Sequence, residues 1–312
     1  MGILGAAVKA LYLPRMDKAR RNANLMLGVA AAVWGFAFVA QRVGMRYVEP
    51  FTFNAVRFAI GALALLPLVA FMRRRAAGPG QPLEPIAWHR VIRAGLAAGF
   101  FIFVGSTLQQ FGLVYTTAGK AGFITGLYVV FTPLIGLFFG HRATKAIWFG
   151  AFLAATGLYL LSAKGMTGID LGDGLVLLSA IFWACQLLTV AHFVKTTDAI
   201  QLAVAQFVVV AIGSTIGALI FEQPALGPIL EAAAPILYAG LGSVGIAYTL
   251  QVVAQRHAKA AHAAIILSME SVFAAVGGWL LLDESLPLRG LIGCALMLGG
   301  VLVVQIEGEP RD

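Results

Sequence analysis

Charge is scarce in this chain: Asp, Glu, Lys and Arg make up 12% of its 312 residues, about half the share found in an ordinary soluble domain. A water-soluble single domain is thereby excluded. Cysteine is scarcer still, and both copies, Cys185 and Cys294, sit inside apolar runs, which excludes the disulfide framework of a small secreted domain. They are expected as small core side chains. Neither CxxC nor HExxH occurs, and His257 and His262 are spaced to face different sides of a helix, so no metal site is expected. There is no GxxxxGK[ST] loop, so ATP-driven pumping lacks its phosphate cradle, and nothing calls for a cofactor. A membrane enzyme acting on lipids would need a convergent acid, base or metal constellation; none is found, so the chain is not expected to be an enzyme. The formal charge of +8 would suggest a nucleic-acid partner in a soluble protein. Here Lys and Arg lie between apolar runs, where they orient the chain against anionic lipid, and no nucleic-acid partner is expected.

What is abundant is apolar sequence, 60% of the chain. At about 20 residues per span, ten runs stand out: 25–40, 51–72, 94–114, 121–139, 146–163, 174–194, 200–221, 235–253, 263–282 and 288–306. They lack the apolar–polar alternation of a membrane barrel, and continuous runs must satisfy their backbone groups internally as helices. The expected fold is an all-α integral membrane protein with ten transmembrane helices. With a cytoplasmic amino terminus, 16 Lys and Arg fall on the cytoplasmic side, 5 on the other, and Arg57 inside the second span. That bias puts both termini in the cytoplasm. Residues 1–23 form a basic leader, read as an interfacial helix or a disordered segment. Its charges follow its apolar start, against the order of a cleaved signal, and no myristoylation signal follows Gly2. RRRAAGPGQPLEP, Arg73 to Pro85, reads as a loop.

The chain also resembles itself. Trp34 falls on Trp183, Arg57 on Gln206 and Phe58 on Phe207 at an offset of 149, and AGKAG around Lys120 falls on HAKAA around Lys259 at an offset of 139. The matches divide the chain into a first repeat, 24–163, a second, 164–306, and a tail, 307–312. Five spans per repeat is odd, so the second copy enters the membrane inverted. Many secondary transporters use that symmetry to open a central site to either side in turn.

The second half from Tyr248 to Val304, with SMESVFAAVGGWLLLDESLPLRG at its centre, resembles the EamA domain of the drug/metabolite transporter superfamily. AAVWGFAFVAQRVG, EPFTFNAVRFAIGALALLPL and GLYVVFTPLIGLFFG resemble its amino-terminal partner. The resemblance covers nearly the whole chain after Asn24 and implies ten helices, inverted repeats and export of small metabolites across a bacterial inner membrane; one branch of the superfamily exports aromatic amino acids. Glu270-Ser271 stands where the family often has Glu-Pro, and the proline appears only in the first repeat, at Pro133.

Ten residues are candidates for a substrate cavity or for coupling. Arg57, seven residues into its span, is too costly to face lipid; it either snorkels outward or clamps carbonyls, or it meets a carboxylate in a cavity. Glu270, near the middle of the ninth span with Ser271 beside it, is either a structural tie or a group that contacts substrate or carries a proton. Trp34 and Trp183 either pack or stack on a ring-bearing substrate. Gln109 and Tyr248, repeat partners at 139, either bond between helices or face the cavity. Thr125, Tyr128 and Thr132 recur at i, i+3 and i+7 and form one stripe facing protein or cavity, with a kink expected at Pro133. GxxxG pairs at Gly95/Gly99, Gly122/Gly126 and Gly136/Gly140 are read as helix packing. The expected function is secondary export of small metabolites, best amino acids with apolar or aromatic side chains or similar drug-like compounds. The expected partners are that substrate, lipid and, for coupling, protons. A nucleotide-sugar or phosphate-ester exchanger of the same fold is the rival within the class.

Overall fold

The computed structural model describes residues 18–78, 81–162, 170–282 and 288–307. The leader through residue 17, the tail after 307, Lys164, Asp283 and Glu284 lie outside the described residues. Among those described, all regular secondary structure is helical: α1 (Lys18–Gly44), α2 (Pro50–Ala77), α3 (Trp88–Tyr115), α4 (Ala118–Phe138), α5 (Lys145–Ser162), α6 (Leu171–Phe193), α7 (Ala199–Phe221), α8 (Ala233–Ala254), α9 (Ala260–Leu282) and α10 (Leu288–Glu307), with a short helical turn, Leu226–Glu231, ahead of α8. Eight of these are long and apolar enough to cross a membrane; the apolar stretches of α5 and α10 are shorter. Cys185 and Cys294 are free thiols on half-buried positions.

Packing follows a paired scheme. α1 lies on α8 and α9, while α6 lies on α3 and α4; α2 meets α7 and α8, and α7 also meets α3; α5 and α10 pair along their length. Close approach depends on small residues. At Gly35 of α1, a Cβ would stand 2.6 Å from the Glu270 carbonyl oxygen and 2.8 Å from the Ala274 nitrogen, so α1 reaches the α9 backbone only because no side chain intervenes. Gly95 and Gly99 bring α3 onto α7 in the same way. Gly140 differs from the packing expected of it: its φ is +76° with nothing near its Cβ position, so it ends α4 in the left-handed conformation that glycine adopts freely.

Caps and ties hold the helix ends. The Asp170 and Asp173 side chains form a capping box at the start of α6, which satisfies amides that lipid could not. Glu222, at the end of α7, accepts from the Phe51 and Thr52 amides and the Thr52 hydroxyl, each at 2.7 Å. It thereby caps α2 from across the molecule.

Two helices are interrupted and one is underwound. α4 breaks at Leu127, between Ala118–Gly126 and Tyr128–Phe138, and α9 breaks at Ser268 and Met269. At both breaks the bonds tighten to three-residue spacing, Leu127 to Ile124 and Met269 to Ile266. Pro133 was the expected cause of a kink. The α4 break lies six residues earlier, and α9 breaks in the same way without a proline. α8 contains a π-helical stretch, Tyr238–Tyr248, a form that recurs at functional sites.

The two breaks also correct the repeat register. Thr117 and Lys259 occupy the position before the first helical residue of α4 and α9, an offset of 142. In that register Leu108-Gln109 falls on Leu250-Gln251, Val130-Phe131 on Val272-Phe273, and Tyr128 on Glu270. Gln109 therefore matches Gln251 rather than Tyr248, and Lys120, inside its helix, matches His262 rather than Lys259. The shorter offset aligned a lysine with a lysine at the cost of one residue's place in the helix.

Candidate functional site

Helices α1, α2, α3, α4, α6, α8 and α9 surround a central cavity. Trp34, Phe38 and Gln41 face it from α1, Arg57 from α2, and Gln109 from α3. Thr125 and Tyr128 face it from α4, Trp183, Gln186 and Leu187 from α6, Ser243 and Tyr248 from α8, and Leu267 and Glu270 from α9. The space is narrow: the centres of water molecules can occupy about 40 Å³ of it, room for only a few waters. A substrate of amino-acid size enters only if the walls part.

The walls are largely aromatic, arranged around one ring. Tyr248 lies 4.6 Å from Trp34, 6.0 Å from Trp183, 6.1 Å from Phe58 and 5.8 Å from Phe207, centroid to centroid. These four neighbours are the two pairs the 149 offset had matched. Edge and tilted contacts at these distances favour a rigid cluster. Trp34 is fixed further by its Nε1, which donates to the Ser243 carbonyl at 3.2 Å, on the π-helical stretch.

Two ionisable side chains stand among the rings. Arg57 is 2% exposed, which removes the snorkelling alternative; its guanidinium carbon lies 5.0 Å from the Phe58 centroid and 5.4 Å from that of Phe53. Cation–π contact partly replaces the water it has lost. No carboxylate among the described residues lies within ion-pair distance of it. Glu270, 4% exposed, is the first residue after the α9 break, as Tyr128 is the first after the α4 break. The Tyr128 hydroxyl lies within electrostatic reach of the carboxyl, yet neither that hydroxyl nor Glu270 Oε1 completes a well-formed hydrogen bond.

Other buried polar atoms on the wall also lack a protein partner: Gln41 Oε1, Arg57 Nε, Trp183 Nε1 and Gln186 Nε2. An unpaired buried donor or acceptor costs about 1 to 3 kcal/mol, and these atoms on one wall are free to pair with a polar guest. Gln109 is satisfied, its amide donating to Thr125 Oγ1 at 3.0 Å.

Eight of the ten sequence candidates share this cavity. Two do not. Thr132 Oγ1 donates to the Tyr128 carbonyl at 2.7 Å and Ser271 Oγ to the Gly122 carbonyl at 2.6 Å, so both spend their hydroxyls on backbone. The sequence reading missed Phe38, Gln41, Gln186, Leu187, Ser243 and Leu267. Gln41 and Gln186 carried a signal, since an amide inside an apolar run needs a partner; Phe38, Leu187 and Leu267 carried none, being typical of any span. Among the described residues no cluster of metal-ligating side chains occurs.

The sequence pattern of the EamA-like transporter family matches this chain twice, over residues 21–163 and again over 170–306. The chain belongs to the EamA-like transporter family. It is 31% identical to an uncharacterized transporter of Archaeoglobus fulgidus over 92% of this chain and 87% of that one. It is 28% identical to a probable amino-acid metabolite efflux pump of Salmonella typhimurium over 53% of this chain and 52% of that one. A solved crystal structure of a protein 20% identical in sequence superposes with a TM-score of 0.72 over 90% of this chain and 95% of that one, which shows the same fold. This EamA-like chain is thus a multi-pass membrane transporter whose cavity lies where its two matched halves meet.

Proposed function

We propose that this transporter exports small amino-acid-like molecules with apolar or aromatic side chains across a bacterial inner membrane, by alternating access between two inverted five-helix repeats. The observation that carries the reading is the cavity itself: one buried guanidinium, one buried carboxyl and unpartnered donors set in a cage of rings around Tyr248. A carboxylate suits Arg57, an ammonium suits Glu270, and a ring suits the tryptophans. A polyanionic nucleotide sugar would need several buried cations, and among the described residues on the wall Arg57 is the only one. The name of the Salmonella relative, an amino-acid metabolite efflux pump, supports the same class.

Transport of a radiolabelled panel by purified protein in liposomes tests this directly. Trp34→Ala or Trp183→Ala should reduce uptake of aromatic amino acids roughly tenfold, the loss of one ring contact of about 1 kcal/mol together with its buried area. Alanine and glycine uptake should change little. Equal losses for all substrates, or a parent protein that prefers polyanions, would reverse the assignment.

The repeat reading also sets the topology. α5 and α10, with 18 and 20 helical residues, span about 27 and 30 Å, close to the hydrocarbon thickness, and are taken as the remaining two crossings. Exchanging each helix with the one five later maps the packing scheme onto itself, which is what an inverted duplication produces. Both termini are then cytoplasmic, as is the connection between α2 and α3, which is shorter than the expected loop because Arg73 to Ala77 continue α2. Reporter fusions at either terminus should be active only in their cytoplasmic form; an external terminus would overturn the ten-crossing topology.

A further inference from the structure

Among the side-chain contacts beyond the cavity that join the halves, two are related by the repeat. Asn24 Oδ1 of α1 lies 2.8 Å from His262 Nε2 of α9. Asp173 Oδ2 of α6 lies 2.5 Å from Lys120 Nζ of α4, and its other oxygen accepts from Thr116 Oγ1 at 3.0 Å. The four residues are two positions used twice. Asn24 and Asp173 stand 149 apart, as Trp34 and Trp183 do, and Lys120 and His262 stand 142 apart, as the starts of α4 and α9 do.

The contacts lie at opposite ends of the molecule. Asn24 is near the beginning of α1; Arg42, eighteen residues on, donates to the Leu113 and Val114 carbonyls, just before Thr116. Along α1 that is about 27 Å. The cavity lies between them, since Lys120 precedes the wall residue Thr125 by five positions and His262 precedes the wall residue Leu267 by five. Asn24, Asp173 and His262 are buried, and the Lys120 side chain is 19% exposed.

We propose that Lys120–Asp173 and Asn24–His262 are the two latches of the transport cycle, one closing each end of the cavity. Both are engaged in this structure, in keeping with how little room the cavity holds. The inference rests on the alternating-access reading for its purpose and on geometry for its placement. The chemistry of the two ends differs. Lys120 faces Asp173 at 2.5 Å and Asp170 at 4.0 Å, a charged latch, whereas Asn24 and His262 form an amide–imidazole contact within electrostatic reach of Arg20. Opening the first end separates opposite charges, one of them on the buried Asp173, so its latch is the stronger of the two.

Accessibility tests this without any substrate, so its outcome is independent of what the protein carries. In a Cys185→Ala/Cys294→Ala background, Ser243→Cys places one thiol on the cavity wall, and a membrane-impermeant thiol reagent is applied to right-side-out or inverted vesicles. Asp173→Asn or Lys120→Ala should raise the labelling rate about tenfold from one side only. His262→Ala or Asn24→Ala should raise it from the opposite side. The exchanged pair Lys120→Asp/Asp173→Lys should return it toward the parental rate. Labelling that rises from both sides together, from neither, or from the same side for both pairs in protein that elutes as a single peak on gel filtration would overturn the proposal, even if the liposome panel succeeds.

Discussion

Arg57→Gln should lower transport of an aromatic amino acid about a hundredfold, because a carboxylate held by a buried guanidinium gains roughly 3 kcal/mol from two charge-assisted bonds, and each 1.4 kcal/mol is a factor of ten. The amide of the same amino acid, which has no negative charge to lose, should be transported nearly as before. Glutamine is the replacement of choice because Gln206 occupies the matching buried place in the second half at 0% exposure, so the fold already accepts that side chain there. Removing a buried charge that has no ion-pair partner does not strand an opposite charge, and the variant should insert and fold. Arg57→Lys keeps the charge but loses the planar fork and its seat between the Phe53 and Phe58 rings, and should recover little activity. Uptake by purified protein in liposomes, acid against amide, measures the effect; equal loss on both would reduce Arg57 to a packing element.

Glu270→Gln should abolish the response of transport to an imposed pH gradient while membrane insertion survives. The carboxyl starts the second segment of α9, at the break, with a hydroxyl from the corresponding break of α4 within electrostatic reach. A carboxyl that alternates between an opened, wet cavity and a closed, dry one can bind a proton on one side and release it on the other. Glutamine keeps the size and hydrogen-bonding capacity of the protonated form and removes the exchange. Flux measured with and without a gradient separates the outcomes: a folded Glu270→Gln protein with parental gradient-driven transport would leave Glu270 a structural tie between α4 and α9.

The sequence by itself determined what depends on composition and periodicity. Scarce charge and long apolar runs dictate membrane helices, since backbone groups in lipid have no other partner. Arg57 and Glu270 stood out because a charge inside an apolar run is expensive wherever it points, and Trp34 and Trp183 because they recur at a fixed offset. What required the tertiary structure depends on how helices turn and meet. Thr132 shares a stripe with Thr125 and Tyr128, yet it spends its hydroxyl on the Tyr128 carbonyl and stays off the cavity wall. The register of the second repeat block was three residues short, because residue likeness cannot tell a lysine inside a helix from one just before it, whereas hydrogen bonding can. The contacts of Glu222 with α2, of Asp173 with Lys120 and of His262 with Asn24 join residues far apart in the chain. Sequence periodicity reports which face of a helix is apolar; only the packed helices decide which polar group each buried side chain meets, because that choice is made by neighbours the chain brings from elsewhere.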